Sequence, residues 1–311
     1  MDIFDLHADI GYAIMKARNN SDTNSLKNVH LKKFQKGNIS YICMASYFEG
    51  SESWEDMKLM ITSLKEEIAQ CEAIDLVENK AILENHNGHI KAILSVEGMC
   101  GIKENPIACI TWLYEQGVRI ASLTWNDENA LATGVKGNPK RGLTTMGKIA
   151  LRKMIDLNMI VDVSHANEQT FWDIMEEKDV RVMATHSNVR ELCFHPRNLC
   201  QDQLLEIRAH GGLVGVVSAP CFIDSDKKDQ DVAHLVKHIQ YICELLGKEY
   251  VAIGFDFMDF YDGYENIYAK GLKDASQAQN IILEMQRQNF CAETIKDIAY
   301  CNALKFIKSV L

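Results

Sequence analysis

Short apolar runs recur along the 311-residue chain, and stretches with helical periodicity lie between them. The runs are IFDLH at 3, ISYICMAS at 39, KAILSV at 91, RIASLT at 119, MIVDVS at 159, RVMAT at 181, GLVGVVS at 212 and YVAIGFD at 250. Their length and their content of β-branched residues predict eight strands. Most of them are apolar throughout, which is typical of strands that are covered on both faces.

The stretches between the strands place apolar residues three and four positions apart, which predicts helices. They are WEDMKLMITSLKEEIAQCEAI from Trp54, TTMGKIALRKMIDLN from Thr144, EQTFWDIMEEK from Glu168 and HLVKHIQYICELLG from His234. The segment ILEMQRQNFCAETIKDIAYCNALKFIKSVL after the last strand predicts two more helices. Strands that alternate with helices indicate an α/β fold of the (β/α)8 TIM-like barrel type, whose active site forms where the strands end. A doubly wound open sheet fits the same pattern, because periodicity does not reveal whether a sheet closes.

Composition limits the classes of binding partner and the cellular location that we expect for the protein. The formal net charge is -10 and the pI is near 5.5, so the field of the protein would repel nucleic acid or an anionic lipid surface. The chain reaches Asp5 and Asp9 before any long apolar segment, so we expect no signal peptide, no membrane span and a cytoplasmic location. Ten cysteines without a CxxC pair are expected to be reduced, and nearly all of them buried. Only 4 prolines and no low-complexity linker occur, so residues 1–311 are expected to form a single domain.

Ionisable residues stand at the predicted carboxyl ends of several strands. They are His7 and Asp9, then Glu97, His165, His186 and Asp256. Residues two apart on an extended segment point to the same side, so the first pair can ligate one ion. Nitrogen and oxygen donors of this kind suit Zn²⁺ and, less selectively, other divalent metals. Because it is costly to desolvate so many ionisable groups without a cation, their joint placement predicts a metal site.

Each of these residues also has an ordinary structural interpretation when it is taken alone. Glu97 could start a helix or cap a loop. His165 and His186 could be core histidines bonded to carbonyl groups, and Asp256 could cap the loop that follows it. Asp5 is expected to orient a ligand rather than to bind the metal itself.

Several motifs, in this order and at this spacing, resemble those of the membrane dipeptidase family of metallopeptidases over nearly the whole chain. They are DLHAD, SVEG, SLTWNDENALATG, VDVSHAN, ATHSNVRELCFHPRN and AIGFDF. The resemblance implies a barrel of the metal-dependent hydrolase type with two Zn²⁺ ions per chain. It places His7 and Asp9 on one ion and His165 and His186 on the other, with Glu97 as the bridge. Such a pair of ions shares a water molecule, lowers its pKa and supplies a hydroxide that attacks the peptide bond.

The resemblance also implies residues that bind the substrate. Arg197 would hold the carboxylate of a dipeptide, and its ordinary alternative is a surface salt bridge. Asp256 would lie near the free amino end and handle protons. The animal members carry a histidine where this chain has Trp125, although bacterial relatives share the tryptophan. The indole could donate a hydrogen bond or wall the pocket, and Asn126 could take over the polar role.

The predicted function is therefore hydrolysis of dipeptides by a dinuclear zinc dipeptidase, and a homodimer is implied by the resemblance alone. The alternatives are an amidohydrolase that acts on another small amide, such as a dehydropeptide, a lactam or a cell-wall fragment, and a non-catalytic relative that binds metal or peptide. His234 and His238 lie four apart on a predicted helix but lack an acidic partner, so a solvated helical face is expected there. The run DSDKKDQD from Asp224 is expected to be an exposed loop. The segment NDENALATGVKGNPKRGLT from Asn126 either orders over the substrate or simply connects two elements.

Overall fold

The computed structural model describes residues 1–311, and its strands form one parallel sheet that closes on itself. The strands are β1 (Ile3–Ala8), β2 (Ile39–Tyr47), β3 (Ile74–Leu76), β4 (Ile90–Glu97), β5 (Val118–Ala121), β6 (Ile160–Asp162), β7 (Arg181–Ala184), β8 (Leu213–Val216) and β9 (Val251–Ile253). β1 pairs with both β2 and β9, and β2 also pairs with β4. These pairings close a barrel of eight strands that excludes β3, so the predicted (β/α)8 barrel is confirmed and the open sheet is wrong.

β3 is the one strand that the sequence pattern did not predict. It pairs with β4 at Ile90 to Ala92, whereas β5 pairs with β4 only from Leu94 onward. β3 therefore extends the sheet at the amino-terminal end of the barrel and takes no part in its closure. The helical pattern that starts at Trp54 was expected to run through Ile74, so it concealed this short strand.

Helices surround the barrel. They are α1 (Ile10–Asn19), α2 (Leu31–Lys36), α3 (Trp54–Gln70), α4 (Lys80–Leu83), α5 (Pro106–Glu115), α6 (Thr145–Asp156), α7 (Glu168–Met175), α8 (Gln201–Ala209), α9 (Pro220–Ile223), α10 (Val232–Leu246), α11 (Gln279–Arg287), α12 (Ala292–Lys296) and α13 (Asn302–Lys308). The four helices predicted between strands are α3, α6, α7 and α10. The two predicted after the last strand are α11 and a continuous stretch from α12 to α13 through a π-helical turn. None of these helices is both long and apolar enough to cross a bilayer.

Side-chain caps mark where the four helices predicted between strands begin. Before each one, a polar side chain accepts a hydrogen bond from a backbone N–H group of the first turn, which satisfies one donor that the helix leaves free. These residues are Ser53, Thr144, Asn167 and Asp231. The cap at Ser53 is reciprocal, because the Asp56 carboxylate accepts a hydrogen bond from the Ser53 backbone N–H at 2.8 Å.

The apolar residues form an outer core between the strands and the helices and an inner core within the barrel. The strands supply the inner core with Phe4, Leu6, Tyr41, Cys43, Ile93, Ile120, Ile160, Met183, Leu213 and Ala252. Ile307 and Val310 from the last helical stretch join the same cluster and close the amino-terminal end of the barrel. The carboxyl end of the barrel is therefore left for the polar residues.

Two expectations about individual side chains need correction. All ten cysteines are free thiols, but only five are buried, and Cys221 and Cys291 are exposed. The solvated face expected for α10 is wrong for His238, which is buried. Its Nδ1 accepts a hydrogen bond from the Val189 backbone N–H at 3.1 Å, and its Nε2 donates to the Ile223 carbonyl at 2.9 Å. Burial lowers the pKa of His238 to about 4, so it is a neutral link between α10 and two neighbouring segments.

Replacing Ile307 with Ala should lower the free energy of unfolding by about 2–5 kcal/mol, because it removes fully buried methyl groups and leaves a cavity at the closed end of the barrel. The matched control is Lys305→Ala, an exposed position on the same helix, which should change stability by less than about 0.5 kcal/mol. Urea unfolding followed by circular dichroism measures both values. Equal losses in the two variants would contradict the role of Ile307 in closing the barrel.

The buried His238 should make the fold less stable as the pH falls from about 6.5 to about 4. Its pKa is near 6.5 in the unfolded chain and about 4 in the folded protein. In this window the unfolded chain binds more protons, so acid favours unfolding, by up to about 3 kcal/mol once the window is crossed. Urea unfolding at a series of pH values should show a flatter profile for His238→Asn than for the unmodified protein. Parallel profiles would rule out this source of acid sensitivity.

Candidate active site

The first strand delivers His7 and Asp9 to the carboxyl end of the barrel, where His7 Nε2 lies 3.3 Å from Asp9 Oδ1. Asp5, two residues before His7 on the same strand, holds the backbone that carries them. Its Oδ1 accepts hydrogen bonds from the backbone N–H groups of His7 at 3.2 Å and Phe255 at 2.9 Å. Burial raises the pKa of Asp5 to about 7. Asp5 thus ties the end of β1 to the segment after β9 and sets the backbone of His7.

Glu97, the last residue of β4, turns its two carboxyl oxygens toward different partners. Oε2 lies 3.3 Å from His7 Nε2, while Oε1 contacts His165 Nε2 and lies 3.5 Å from His186 Nε2. Burial disfavours the carboxylate charge, but the neighbouring His165 and His7 hold the pKa of Glu97 well below its usual value. An ionised carboxylate therefore stands between two groups of imidazole donors, which is the arrangement that a bridging ligand needs.

His165 and His186 follow β6 and β7 and bring their Nε2 atoms to within 2.9 Å of each other. Nδ1 of His165 lies 3.0 Å from Asn126 Oδ1, and Nδ1 of His186 lies 2.7 Å from Thr185 Oγ1. These contacts occupy Nδ1 of both rings and leave both Nε2 atoms facing Glu97. Burial is the largest cause that lowers the pKa of His165 to about 4 and the pKa of His186 well below its usual value. Both rings are neutral, which is the form that binds metals.

Asp256 follows β9 in a left-handed backbone conformation with φ of +55°. This conformation is uncommon for residues other than glycine, although aspartate adopts it more readily than most. The Asp256 backbone N–H donates to the His7 carbonyl at 3.2 Å, and its carboxyl group lies in one cluster with His7 and Asp9. Burial, with the nearby Glu97 carboxylate, raises the pKa of Asp256 even though His7 opposes the shift. A carboxyl group with a raised pKa at this place is suited to exchange protons with a substrate.

Arg197 is a buried cation, with 5% of its surface exposed, and it forms no ion pair with a carboxylate. Its Nη2 lies 3.0 Å from His165 Nε2, and its Nη1 has no hydrogen-bond partner. Burial lowers the pKa of Arg197 to about 10, so the side chain remains charged at neutral pH. The surface salt bridge considered as an alternative is therefore wrong. A buried guanidinium with a free donor is suited to bind an anion.

Trp125 is half-buried and lines one side of the mouth. Its ring lies 6.1 Å from the ring of His165 and meets Tyr47 edge-on at 5.1 Å, and Lys136 Nζ stands 5.3 Å from its ring centre. The neighbouring Asn126 uses its amide oxygen to hold His165. This leaves the Asn126 amide nitrogen as the group that could donate to a substrate.

Tyr261 is a residue of this site that the sequence pattern did not reveal. Its hydroxyl donates to Asp9 Oδ2 at 2.9 Å, and its ring stacks on Tyr12 with the centres 4.4 Å apart. The ammonium group of Lys16 donates to the Phe260 carbonyl at 2.7 Å and holds this loop in place. Tyr261 lies in a loop without periodicity, so only the folded structure brings it to Asp9.

Asp162 was also missed. It is the last residue of β6, and its carboxyl group lies in a cluster with His7 and His186. The sequence did contain a signal, since IVDVSH places an acid at the end of an apolar strand three residues before His165.

The segment 126–144 lies against the site and is held by many hydrogen bonds. The Val135 backbone N–H donates to the His165 carbonyl at 3.1 Å. The Arg141 guanidinium donates to the carbonyl groups of Asn129 at 2.7 Å and Ala132 at 2.9 Å. The segment is thus an ordered connection beside His165. The run from Asp224 is largely exposed around a short 3-10 turn, as expected.

The buried donors fit a divalent cation. Their ligand atoms form three groups, each within 4.8 Å: Glu97, His165 and His186; His7, Asp9 and Asp256; and His7, Asp162 and His186. His7 Nε2 and Asp9 Oδ1 are buried, and although they lie 3.3 Å apart, neither makes a hydrogen bond. An unsatisfied buried group costs about 1–3 kcal/mol, and a cation would satisfy both. Burial and the Glu97 carboxylate also raise the pKa of Asp9 to about 7, so its charge is unfavourable unless a cation offsets it.

A closed parallel barrel with acids and imidazoles gathered at its carboxyl end defines the class of barrel hydrolases that use metal ions. The model of the family described as membrane dipeptidase, peptidase family M19, matches residues 1–311. The chain belongs to this dipeptidase family of enzymes, as the motifs predicted.

Relatives from bacteria and fungi support this assignment. A protein of the pqqA 5' region of Klebsiella pneumoniae is 33% identical over 206 residues, which is 63% of this chain and 74% of that protein. An uncharacterized dipeptidase of Schizosaccharomyces pombe is 28% identical over 76% of this chain and 61% of its own length. Dipeptidase aclJ of Aspergillus oryzae is 29% identical over 72% of this chain and 52% of its own length. The matches to these two fungal proteins thus span only about half to three fifths of their length.

Solved structures share the fold. A metallo peptidase from Rhodobacter sphaeroides, liganded with a phosphinate mimic of the dipeptide L-Ala-D-Ala, has a TM-score of 0.87 and 20% identity. The match covers 100% of this chain and 99% of that one. A metallo peptidase of family M19 called dipeptidase AC has a TM-score of 0.87 and 21% identity over 99% of this chain and 98% of its own.

Proposed function

We propose that residues 1–311 form one metal-dependent dipeptidase domain that hydrolyses the peptide bond of dipeptides with two zinc ions. The observation that carries the proposal is the unpaired Arg197 guanidinium beside a buried cluster of imidazole and carboxylate donors. A fixed cation next to such a cluster is suited to a small substrate with a free carboxylate. Membership of the dipeptidase family points in the same direction.

The chain offers two sets of ligands and one bridge. His7 and Asp9 would hold one ion, His165 and His186 would hold the other, and Glu97, with one oxygen toward each set, would join them. When bound, two such cations lower the pKa of a shared water molecule and polarise a carbonyl group. The contribution of the protein is to keep the two imidazoles neutral and the Glu97 carboxylate ionised before the ions arrive.

Other residues would bind and orient the dipeptide. Arg197 would bind its carboxylate, and because Nη2 lies 3.0 Å from His165, this would bring the peptide bond next to the ligand cluster. Asp256 would bind the free amino group, take a proton from the attacking water and return it to the leaving nitrogen. Trp125 would wall the pocket, and the Asn126 amide nitrogen could donate to the carbonyl oxygen. Recognition of both charged ends restricts the substrate to dipeptides, because a longer peptide moves one charge away from its partner.

Protein loaded with zinc should release free amino acids from a mixed library of dipeptides. Removal of the metal with a chelator should abolish the release, and added zinc should restore it, because the chain has no other strong electrophile at this site. Amino-acid analysis of the mixture gives the measurement. Dipeptide binding without turnover would instead support a non-catalytic binding protein. Turnover of lactams or acylated amides, with dipeptides left intact, would support the alternative amidohydrolase.

Replacing Arg197 with Ala should raise KM for dipeptides about 10- to 100-fold, because a charge-assisted hydrogen bond to the substrate is lost. The same dipeptides with a C-terminal amide should show little change, since they carry no carboxylate. Steady-state kinetics on both substrate series provide the test, and Arg197→Lys should be intermediate because it keeps the charge without the planar fork.

Arg181→Ala is the control for this experiment, because Arg181 is exposed at the start of β7. It should leave KM unchanged for both substrate series. If Arg197→Ala raised KM equally for the acids and the amides, Arg197 would not be the carboxylate receptor.

The proposal also includes a cytoplasmic location, a homodimer and no nucleic-acid or membrane partner. Ten free thiols without a disulfide support a reducing compartment. The net charge of -10 argues against a polyanionic partner. The homodimer rests on the family resemblance.

A further inference from the structure

We infer that Thr185, directed by Asp162, is a positioning residue that fixes His186 in the tautomer whose Nε2 is free to bind metal. The inference rests on the proposed function, because it takes His186 as a ligand of the second ion. The three residues lie at the ends of β6 and β7, and all three are buried.

The hydroxyl of Thr185 stands between the other two side chains. Its Oγ1 lies 2.6 Å from Asp162 Oδ2 and 2.7 Å from His186 Nδ1. A hydroxyl has one hydrogen to donate and can accept others, so on its own Thr185 could either donate to the ring or accept from it. The two choices leave the histidine proton on opposite nitrogens.

Asp162 decides this choice because donors surround its carboxyl group. Oδ1 accepts from the Ser164 hydroxyl at 2.6 Å, from the Ser164 backbone N–H at 3.0 Å and from the Thr185 backbone N–H at 3.0 Å. Oδ2 has the Thr185 hydroxyl as its partner. An ionised carboxylate only accepts, so the Thr185 hydrogen points to Asp162 and the Thr185 oxygen accepts the proton of His186 Nδ1.

The consequence appears on the other side of the ring. With Nδ1 protonated, His186 Nε2 carries its lone pair and faces His165 and Glu97, at 2.9 Å and 3.5 Å. Groups that orient a metal-bound histidine in this way set its tautomer and its direction. The Ser164 hydroxyl, at 3.1 Å, also accepts the His186 backbone N–H, so backbone and ring are both held from β6.

The same contacts argue against Asp162 as a direct ligand, although its carboxyl group lies near the imidazole rings of His7 and His186. Oδ1 already has three donors, and Oδ2 is engaged by the Thr185 hydroxyl. His7 Nε2 and Asp9 Oδ1 are, by contrast, buried without a partner. Two atoms of the proposed ligand sets are therefore without partners, whereas both carboxyl oxygens of Asp162 are engaged.

The test measures zinc binding by competition with a chromophoric chelator. Thr185→Val keeps the shape of the side chain and removes the hydroxyl, so the affinity for the second ion should fall about 10- to 100-fold. The affinity for the first ion should fall much less, because His7 Nδ1 lies 3.5 Å from this hydroxyl whereas His186 Nδ1 lies at 2.7 Å. Thr185→Ser should restore the affinity to within a few-fold of the unmodified protein. The Asp162→Asn variant should lose at least as much zinc affinity as Thr185→Val. Its oxygen is needed by the three donors at Oδ1, so its amide would donate to Thr185 and force the hydroxyl to donate to the ring.

Thr170→Val is the matched control. Thr170 is fully buried, its hydroxyl donates to the Thr133 carbonyl at 2.9 Å, and it makes no hydrogen bond to any of the proposed ligands. It should lose stability on heating as Thr185→Val does and still bind two ions normally. The nitrogen NMR spectrum of labelled histidine in the metal-free protein adds a direct readout. His186 should carry its proton on Nδ1 in the unmodified protein and on Nε2 in Asp162→Asn.

The outcomes separate the two proposals. If the unmodified protein retains no zinc, the proposed function fails whatever the variants do. If it retains two ions and Thr185→Val binds both equally well, only the role of Thr185 is overturned. A loss of zinc affinity in Asp162→Asn without such a loss in Thr185→Val would identify Asp162 as a direct ligand. An equal loss of zinc affinity in Thr185→Val and Thr170→Val would show that the effect is general destabilisation.

Discussion

The structure depends on burying carboxylates and imidazoles together at one end of a barrel. A buried charge is costly unless a partner offsets it. Here Glu97 lies within 3.5 Å of three imidazoles that come from three different strands, and Asp9 and Asp256 lie close to His7. Burial raises the pKa of both aspartates, so the protein alone compensates these charges incompletely. The arrangement becomes favourable when a multivalent cation enters, which couples the stability of this end of the barrel to its chemistry.

The apolar packing at the opposite end of the barrel offsets the cost of that burial. Phe4 and Leu6 begin the inner core on β1, and Ile307 closes it from the last helix. Near the polar end, two glycines allow the strands to approach closely. A Cβ atom at Gly215 would lie 2.1 Å from the Thr185 carbonyl oxygen, and one at Gly254 would lie 1.9 Å from it. The absence of a side chain at Gly215 on β8 and at Gly254 after β9 therefore lets both segments approach the backbone that follows β7.

The sequence pattern was sufficient to predict the barrel strands and the grouping of ionisable residues, although it did not decide between a closed and an open sheet. Apolar runs mark each barrel strand, and parallel strands bring their ends to one mouth, so His7 and Asp256 could be placed together although 249 positions separate them in the chain. The short β3 was not predicted because the helical pattern that starts at Trp54 was expected to run through Ile74, its first residue. Tyr261 was not predicted because it lies in an irregular loop. The burial of His238 was not predicted because helical periodicity alone does not show whether a histidine on α10 is buried or solvated.

The way the two histidines are oriented also fits the electrostatics of the site. Metal-bound histidines are often held by a carboxylate, which makes the ring a stronger donor but adds a negative charge. In this protein the immediate partners are uncharged, the Asn126 amide for His165 and the Thr185 hydroxyl for His186. The nearest carboxylate on this side, that of Asp162, acts one hydrogen bond further away. A mouth that already contains Asp9, Glu97 and Asp256 is thereby spared another charge in direct contact with either proposed ligand, while the partner at Nδ1 still fixes the direction of each ring.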